Sequence, residues 1–247
     1  MIRPTVVIPV YNHGRTISAI VEHVLAAGLP CILVNDGSET STVRQLDDLA
    51  RAHTGHVTLL TNATNLGKGG AVLRGLTEAH ELGFSHALQI DADGQHDATQ
   101  IPEFLARSRA HPAAVIAGRP VFDETVPRGR LYSRYLTHVL VWIETLSLDI
   151  RDSMCGFRVY PIAPVLAITR RVQIGRRMDF DIEILVRLYW DGLEIVSLPT
   201  PVRYPADGVS HFRMWRDNLL ITRLHVLLLL GMVSRLPRLA TRRRRAA

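Results

Sequence analysis

Cysteine is scarce in this sequence, and no targeting segment is evident. The 247 residues include two cysteines, Cys31 and Cys155, whose spacing matches neither a metal site nor a disulfide framework. Residues 1–4 lead directly into a short apolar segment, without the longer hydrophobic stretch of a secretory signal peptide. The sequence therefore predicts a reducing, cytoplasmic setting and not that of a disulfide-stapled secreted domain.

The sequence also lacks a clean membrane-spanning segment. The most apolar stretch, 219–236, is interrupted by Arg223, His225 and Arg235. A spanning helix needs about 20 mostly apolar residues and tolerates a central arginine poorly, so we expect an interfacial or docking helix. The arginine run 242–245 that follows is typical of a tail that contacts anionic lipid, although a solvated tail has the same composition.

Two common nucleotide-binding fingerprints are missing, and so is a nucleic-acid recognition motif. The segment 65–71 opens a predicted helix with glycines and Lys68, but Gly70 and Ala71 follow where a P-loop requires Ser or Thr. No Gly-x-Gly-x-x-Gly follows the first predicted strand. These absences count against a P-loop kinase, a dinucleotide-dependent dehydrogenase and a nucleic-acid binder, while the helix N-terminus still favours anions.

The composition is that of one globular α/β domain. Hydrophobic residues make up 47% and charged residues 21%, with a formal net charge of +6, which excludes a disordered chain. In the first half, strands are predicted at 5–10, 31–34, 57–60, 86–90 and 113–117, and helices at 16–27, 40–52, 69–82 and 98–111. Strands alternating with helices of this length are typical of a parallel sheet with helices on both faces.

The second half of the sequence changes character. A long helix is predicted at 129–148 and another helix at 179–190, followed by a strand at 194–198. No internal repeat or linker separates the halves. We therefore expect one domain over 1–215 and a helical C-terminal elaboration, an apolar helix with an arginine-rich tail, over 216–247.

Two carboxylates follow the fourth predicted strand at the point where it ends. Asp91 and Asp93 are spaced i, i+2, and once the chain leaves the strand both can turn toward one ion. Mg²⁺ and Mn²⁺ prefer oxygen ligands and leave positions open for substrate phosphates. Asp-x-Asp also occurs by chance in loops, but this one lies at the sheet edge where α/β proteins bind ligands.

Polar loops after the first and second strands are predicted at the same edge. Tyr11 follows the first strand and offers a ring that stacks on a base. Asp36 follows the second and offers a carboxylate to a base or ribose, although Asp36-Gly37-Ser38 is also an ordinary turn sequence. Together with Asp91 and Asp93, these residues predict one nucleotide-binding crevice.

Four motifs, in this order and spacing, resemble those of the family 2 glycosyltransferases. They are Val-Ile-Pro-Val-Tyr-Asn at 7–12, Val-Asn-Asp-Gly-Ser at 34–38, Asn-Leu-Gly-Lys-Gly at 65–69 and Asp-Ala-Asp-Gly-Gln-His at 91–96. Residues 152–158, Asp-Ser-Met-Cys-Gly-Phe-Arg, are similar to the acceptor-side motif of the dolichyl- or polyprenyl-phosphate sugar synthases, with Cys155 in place of a usual Ser. The resemblance covers residues 4 to 215.

This resemblance implies a GT-A fold, a Rossmann-like and mostly parallel sheet, and inverting transfer from a nucleotide-diphosphate sugar with Mg²⁺ or Mn²⁺. By position, it implies that the donor is bound by Pro9, Tyr11, Asn12, Asp36, Lys68, Asp91 and Ala92. The metal would lie among Asp91, Asp93 and Gln95. Arg119 would face the diphosphate, and His211 or Arg213 of a closing loop would contact phosphate. His13 stands where the subgroup often has Glu, which leaves the donor base open.

The predicted catalytic residues are Asp93, Arg119 and Asp181. A divalent cation and Arg119 would stabilise the charge on the leaving diphosphate. A hydroxyl acceptor needs a general base, whereas a phosphate is already ionised. Asp181 is the predicted base or an acceptor-orienting residue, although acids are also favoured at a helix N-terminus.

We expect an enzyme whose acceptor is a lipid-linked phosphate or is otherwise apolar. The predicted helices 129–148 and 219–236 would offer a lipid chain an apolar surface or pack as core, and peripheral contact with the cytoplasmic membrane face is expected. One alternative is a saccharide or other hydroxyl acceptor. Another is a non-catalytic nucleotide-sugar-binding module of the same fold.

Overall fold

A computed structural model describes residues 1–122, 126, 128–202 and 213–246. The strands are β1 Pro4–Val10, β2 Cys31–Asn35, β3 Val57–Thr61, β4 His86–Gln89, β5 Val115–Phe122, β6 Arg158–Pro161 and β7 Ile195–Val202. The helices are α1 Gly14–Ala26, α2 Thr40–Ala52, α3 Lys68–Glu81, α4 Ile101–Ala110, α5 Arg128–Thr145, α6 Ile162–Arg171, α7 Phe180–Trp190, α8 Met214–Val233 and α9 Leu236–Ala246.

The seven strands form one sheet in the order β3-β2-β1-β4-β6-β5-β7. β1, β2, β3 and β4 pair in parallel, and β5 pairs in parallel with β7. β6 is antiparallel to both of its neighbours, β4 and β5. All strands except β6 therefore end at the same edge, which confirms the predicted mostly parallel α/β fold.

Helices cover both faces of this sheet. Along β1, the side chain of Val7 joins the core on one face with α3, α6 and α7, while Val6 and Ile8 join the core on the other with α1, α2 and α4. The alternation follows from the period of two in a strand. Because both faces are covered, β1 and β2 are nearly continuous apolar runs, as buried parallel strands require.

The sequence prediction was incomplete in the second half. It missed β6, which is four residues long and begins with the charged Arg158, and it also missed α6. It also ended the fifth and last strands too early, since β5 and β7 continue to pair as far as Phe122 and Val202.

The C-terminal helix predicted at 219–236 is present, but its bounds differ and the arginine-rich tail is helical as well. The chain forms two helices, Met214–Val233 and Leu236–Ala246, with the break beside Ser234 and Arg235. Within the described ranges no single helix is both long and apolar enough to cross a bilayer. The pair Met214–Val233 and Leu236–Arg242 passes on length and composition only when taken together, and it is bent by 81°.

Gly75 allows α3 to lie directly against the sheet. A Cβ atom at this position would lie 2.4 Å from Cγ1 of Val7 on β1 and 3.1 Å from Cγ2 of Val34 on β2. Both side chains are fully buried and have no room to move. A glycine is therefore required where α3 crosses β1 and β2.

We expect Gly75→Ala to destabilise the fold by about 1–3 kcal/mol, because the added methyl overpacks the interface. Thermal unfolding of the purified variant measures this as a lower Tm. Gly129→Ala is the matched control, since Gly129 is also helical and a Cβ there meets nothing within 4 Å. An unchanged Tm for Gly75→Ala would contradict the close approach of α3 to the sheet.

Candidate active site

The carboxyl edge of the sheet places the loop after β4 beside the end of β5. Arg158 on β6 is paired with Gln89 on one side and with Ala117 on the other. Gln89 and Ala117 therefore lie side by side across Arg158, and Asp91 and Arg119 each follow two residues later along the chain. Arg119 is exposed at this edge. The two residues predicted to act on a diphosphate thus emerge from the same side of the fold.

Asp36 organises the neighbouring loop at 62–67. Its Oδ1 accepts hydrogen bonds from Asn62 Nδ2 at 2.7 Å and from the backbone N of Leu66 at 2.8 Å. Its Oδ2 accepts one from the backbone N of Gly67 at 2.8 Å. The carboxylate is buried. Both oxygens are thus engaged within the protein, which gives Asp36 a structural role beside its predicted contact with the donor.

Replacing Asp36 with Asn should loosen this loop. One of the two oxygens becomes an NH₂ group, which cannot accept a hydrogen bond from the backbone N–H groups of Leu66 or Gly67. We expect Asp36→Asn to lower the free energy of unfolding by about 1–3 kcal/mol in a denaturant titration. Asp47→Asn, at an exposed site on α2, is the control and should change it little.

Asn12 ties the loop after β1 to the start of α2. Its backbone adopts φ +58°, its N–H donates to Ser38 Oγ at 3.1 Å, and its Oδ1 accepts from the backbone N of Glu39 at 2.8 Å. Tyr11 beside it is half-buried. Pro9 on β1 pairs with Val34 on β2. On its other side β4 has already ended, because the last β1–β4 pair is Val7 with Gln89. The N–H group that proline lacks is therefore not needed for a hydrogen bond to β4.

Lys68 joins two carboxylates at the start of α3. Its Nζ lies 2.7 Å from Oδ2 of Asp91, in the loop after β4, and 2.6 Å from Oδ2 of Asp181, in the first turn of α7. Asp181 also accepts a hydrogen bond from Gln89 Nε2 at 3.2 Å. The predicted donor-binding lysine, metal ligand and base therefore form one partly buried ion cluster.

The charges in this cluster shift the pKa values of the loop after β4. Burial raises the pKa of a carboxyl, but at Asp91 the charges of Lys68 and His96, together with hydrogen bonds from Lys68 and Gln89, outweigh burial and hold the pKa below its ordinary value. Burial and the Asp91 charge raise the pKa of Asp93. Burial lowers the pKa of His96, despite both carboxylates, and so keeps the imidazole neutral.

The donor atoms of this loop fit a divalent cation that shares its coordination with a substrate. Oδ1 of Asp91 and Nδ1 of His96 are buried without a hydrogen-bond partner. Within the part of the chain that the structure describes, no three His, Cys, Asp or Glu side chains are grouped to hold a metal by themselves. One or two carboxylates are sufficient for Mg²⁺ or Mn²⁺ when substrate phosphates supply further oxygens.

The other predicted site residues hold this loop in place or lie apart from it. The backbone N of Gln95 donates to Asp93 Oδ1 at 3.0 Å, and the carbonyl of buried Ala92 accepts from Thr16 Oγ1. Arg213 is exposed at the start of α8, where its backbone N donates to Asp217 Oδ2 at 2.7 Å. His211 lies outside the described residues.

Sequence reasoning missed the buried polar network beneath the site. Arg158 is fully buried and donates to the carbonyl of Asp181 at 2.6 Å, to the carbonyl of Ser153 at 2.7 Å and to the hydroxyl of Tyr160 at 3.2 Å. Burial raises the pKa of Tyr160 to about 12, so its hydroxyl stays a donor to Gln89 Oε1. The available signal was an arginine inside an otherwise apolar run.

The motif at 152–158 packs against the ion cluster. Asp152 accepts two hydrogen bonds from the guanidinium of Arg134, at 2.5 and 2.7 Å, and lies 3.2 Å from His138 Nε2. Burial alone would raise the pKa of Asp152, but these basic groups hold it well below its usual range. At Gly156 a Cβ would lie 2.2 Å from Asp91 Oδ2. The motif therefore forms one wall of the site.

Comparison with known proteins identifies the family. The family model described as glycosyl transferase family 2 matches residues 5–173. The chain belongs to glycosyl transferase family 2. This family 2 glycosyltransferase is similar to the polyprenol monophosphomannose synthase of Mycolicibacterium smegmatis, with 28% identity over 226 residues, 85% of this chain and 82% of that protein.

Another relative and a solved structure support the family assignment and the fold. The undecaprenyl-phosphate mannosyltransferase of Micrococcus luteus is 26% identical over 212 residues, which are 80% of this chain and 82% of that protein. The crystal structure of glucosyl-3-phosphoglycerate synthase from Mycobacterium tuberculosis, in complex with Mn²⁺ and UDP-glucose, superposes with a TM-score of 0.68 at 14% identity and covers 94% of this chain and 79% of that one. At that identity the likeness shows the fold, and it confirms the predicted GT-A architecture.

Proposed function

We propose that this family 2 glycosyltransferase moves a sugar from a nucleotide-diphosphate sugar to a polyprenyl-type lipid phosphate, with inversion at the anomeric carbon. The observation that carries the proposal is the pair Asp91 and Asp93 at the carboxyl edge of the sheet, with a buried Asp91 oxygen that has no partner. The relatives that are named for polyprenol- and undecaprenyl-phosphate mannosyl transfer support the acceptor class.

A divalent cation, Mg²⁺ or Mn²⁺, is part of this proposal. Asp91 and Asp93 would hold it, with His96 and Gln95 nearby, and it would supply positive charge to the leaving nucleoside diphosphate. The solved relative with Mn²⁺ and UDP-glucose supports this choice of ion class. The protein itself contributes Arg119, which emerges at the same edge and offers a guanidinium to the diphosphate.

Donor binding should be visible as a cation-dependent rise in Tm. We expect one nucleoside diphosphate or its sugar, with Mn²⁺, to raise the Tm of the protein, because ligands that bind the native state stabilise it by mass action. The measurement is a thermal-shift panel with and without Mn²⁺. Asp93→Asn should abolish both the shift and transfer to a polyprenyl phosphate while the Tm without ligand is retained.

Three results would contradict parts of this assignment. Full transfer by the wild-type protein in excess chelator would remove the cation from the proposal. A cation-dependent shift without transfer to any phosphate or hydroxyl acceptor would favour the non-catalytic binding module of the same fold. Transfer to a saccharide in preference to a lipid phosphate would favour the hydroxyl-acceptor alternative.

We also propose that α5 and α8 contact the cytoplasmic face of a membrane peripherally. The two helices pack together and leave large apolar side chains exposed, Tyr132 at 75%, Trp215 at 91% and Leu219 at 70%. The sole acidic residue of α8, Asp217, is buried, whereas Arg216 and Arg223 are exposed. An apolar surface flanked by arginines is suited to anionic lipid.

The double variant Trp215→Ser, Leu219→Ser tests this surface. We expect its partitioning onto phosphatidylglycerol-containing vesicles in a sedimentation assay to fall on the order of tenfold, because two large apolar groups no longer enter the interface. Leu82→Ser replaces an exposed leucine at the far end of α3 and should bind as the wild type does. Equal binding by both variants would refute the proposed surface.

A further inference from the structure

Lys68 is the only lysine in a sequence that contains 29 basic residues, since the other 28 are arginines. Arginine therefore serves every other cationic position, on the surface and in the core. A lysine ammonium is compact and carries its charge at a point, whereas a guanidinium is a planar fork that needs more room. We therefore expect the surroundings of Lys68 to require a small cation with a localised charge.

Those surroundings are two carboxylates and a glycine. The ammonium lies 2.7 Å from Asp91 Oδ2 and 2.6 Å from Asp181 Oδ2. A Cβ atom at Gly156 would lie 2.5 Å from Lys68 Nζ and 2.2 Å from Asp91 Oδ2. The space holds an ammonium with no margin, so a guanidinium at position 68 would displace one of the carboxylates.

Both carboxylate oxygens and the backbone carbonyl of Asp181 have partners within the protein. Its side chain is 5% exposed, with one oxygen on Lys68 and the other accepting from Gln89 Nε2. Its backbone carbonyl accepts from Arg158, which is itself fully buried. A general base needs an oxygen within reach of the acceptor proton. Neither oxygen of Asp181 is directed toward open space.

We infer that Lys68 is a positioning residue that holds Asp91 with its Oδ1 toward the donor and uses Asp181 as a counter-ion, so that Asp181 is not a general base. This rests on the transferase function proposed above, whose phosphate acceptor is already ionised and needs no general base. An acceptor phosphate oxygen forms the bond to the anomeric carbon as that carbon's bond to the donor phosphate oxygen breaks. The electron pair leaves with the nucleoside diphosphate, and no proton is transferred.

Matched acceptors test this assignment directly. We expect the wild type to glycosylate a short-chain polyprenyl phosphate. The corresponding polyprenol should be glycosylated about a hundredfold more slowly or worse, because the absence of general-base catalysis costs about 10²–10⁴ in rate. Asp181→Asn should lower kcat with the phosphate by less than about tenfold. A hundredfold loss of kcat at unchanged KM, or comparable rates with the alcohol, would overturn the inference.

A double-variant cycle tests the counter-ion. Lys68→Met leaves the carboxylates of Asp91 and buried Asp181 without their shared cation and should lower Tm by roughly 6–20 °C. Adding Asp181→Asn removes the surplus charge and should recover at least about half of that loss, as expected for directly interacting groups. Arg51→Met is the control, since Arg51 is exposed and forms an exposed ion pair with Asp48. Additive losses in the double variant would overturn the counter-ion role.

A chemical measurement on the wild-type protein remains decisive if Lys68→Met does not fold. Because Lys68 is the only side-chain amine, its acylation by an N-hydroxysuccinimide ester can be followed by peptide mass spectrometry. We expect it to react on the order of a hundredfold more slowly than N-acetyl-lysine amide, because the bridge must open first. A rate equal to that of the free amine would overturn the bridge, whether or not transfer is observed.

Discussion

The interaction on which the site depends is the pair of ion contacts made by Lys68. They connect the first turn of α3, the loop after β4 and the first turn of α7, three segments that the chain order places far apart. The ammonium lies between the two carboxylates and balances their negative charge. Lys68 and Asp91 also lie close against Gly156, where a Cβ would be 2.5 Å from Nζ and 2.2 Å from Oδ2.

Around this cluster, the loops at the carboxyl edge brace one another. Asp36 holds the segment before α3, Asn12 holds the segment before α2, and Thr16 on α1 donates to the carbonyl of Ala92. Each loop is therefore fixed by a side chain from a different loop or helix. Polar residues that would otherwise suggest direct ligand contacts also serve to pre-organise the crevice, which reduces the ordering needed when a donor binds.

The first half of the fold was predictable from the sequence because local signals agree there. Apolar runs such as Cys31–Asn35 alternate with amphipathic helices, and the polar residues at strand ends mark the site edge. The prediction failed where non-local pairing decides the structure. Four residues at Arg158–Pro161 form a central strand only because β4 and β5 flank them. The bridging role of Lys68 depends on α7, over 100 residues later, and no local pattern reveals it.

The antiparallel strand β6 also constrains the order in which the chain can fold. During synthesis from the N-terminus, β1 to β4 can pair as soon as His86–Gln89 has emerged, but the outer edge of β4 stays open until Arg158–Pro161 arrives. β5 emerges before either of its partners, β6 and β7, and must wait for both. The half of the sheet that carries Arg119 is thus completed last, by contacts of long sequence separation that close slowly.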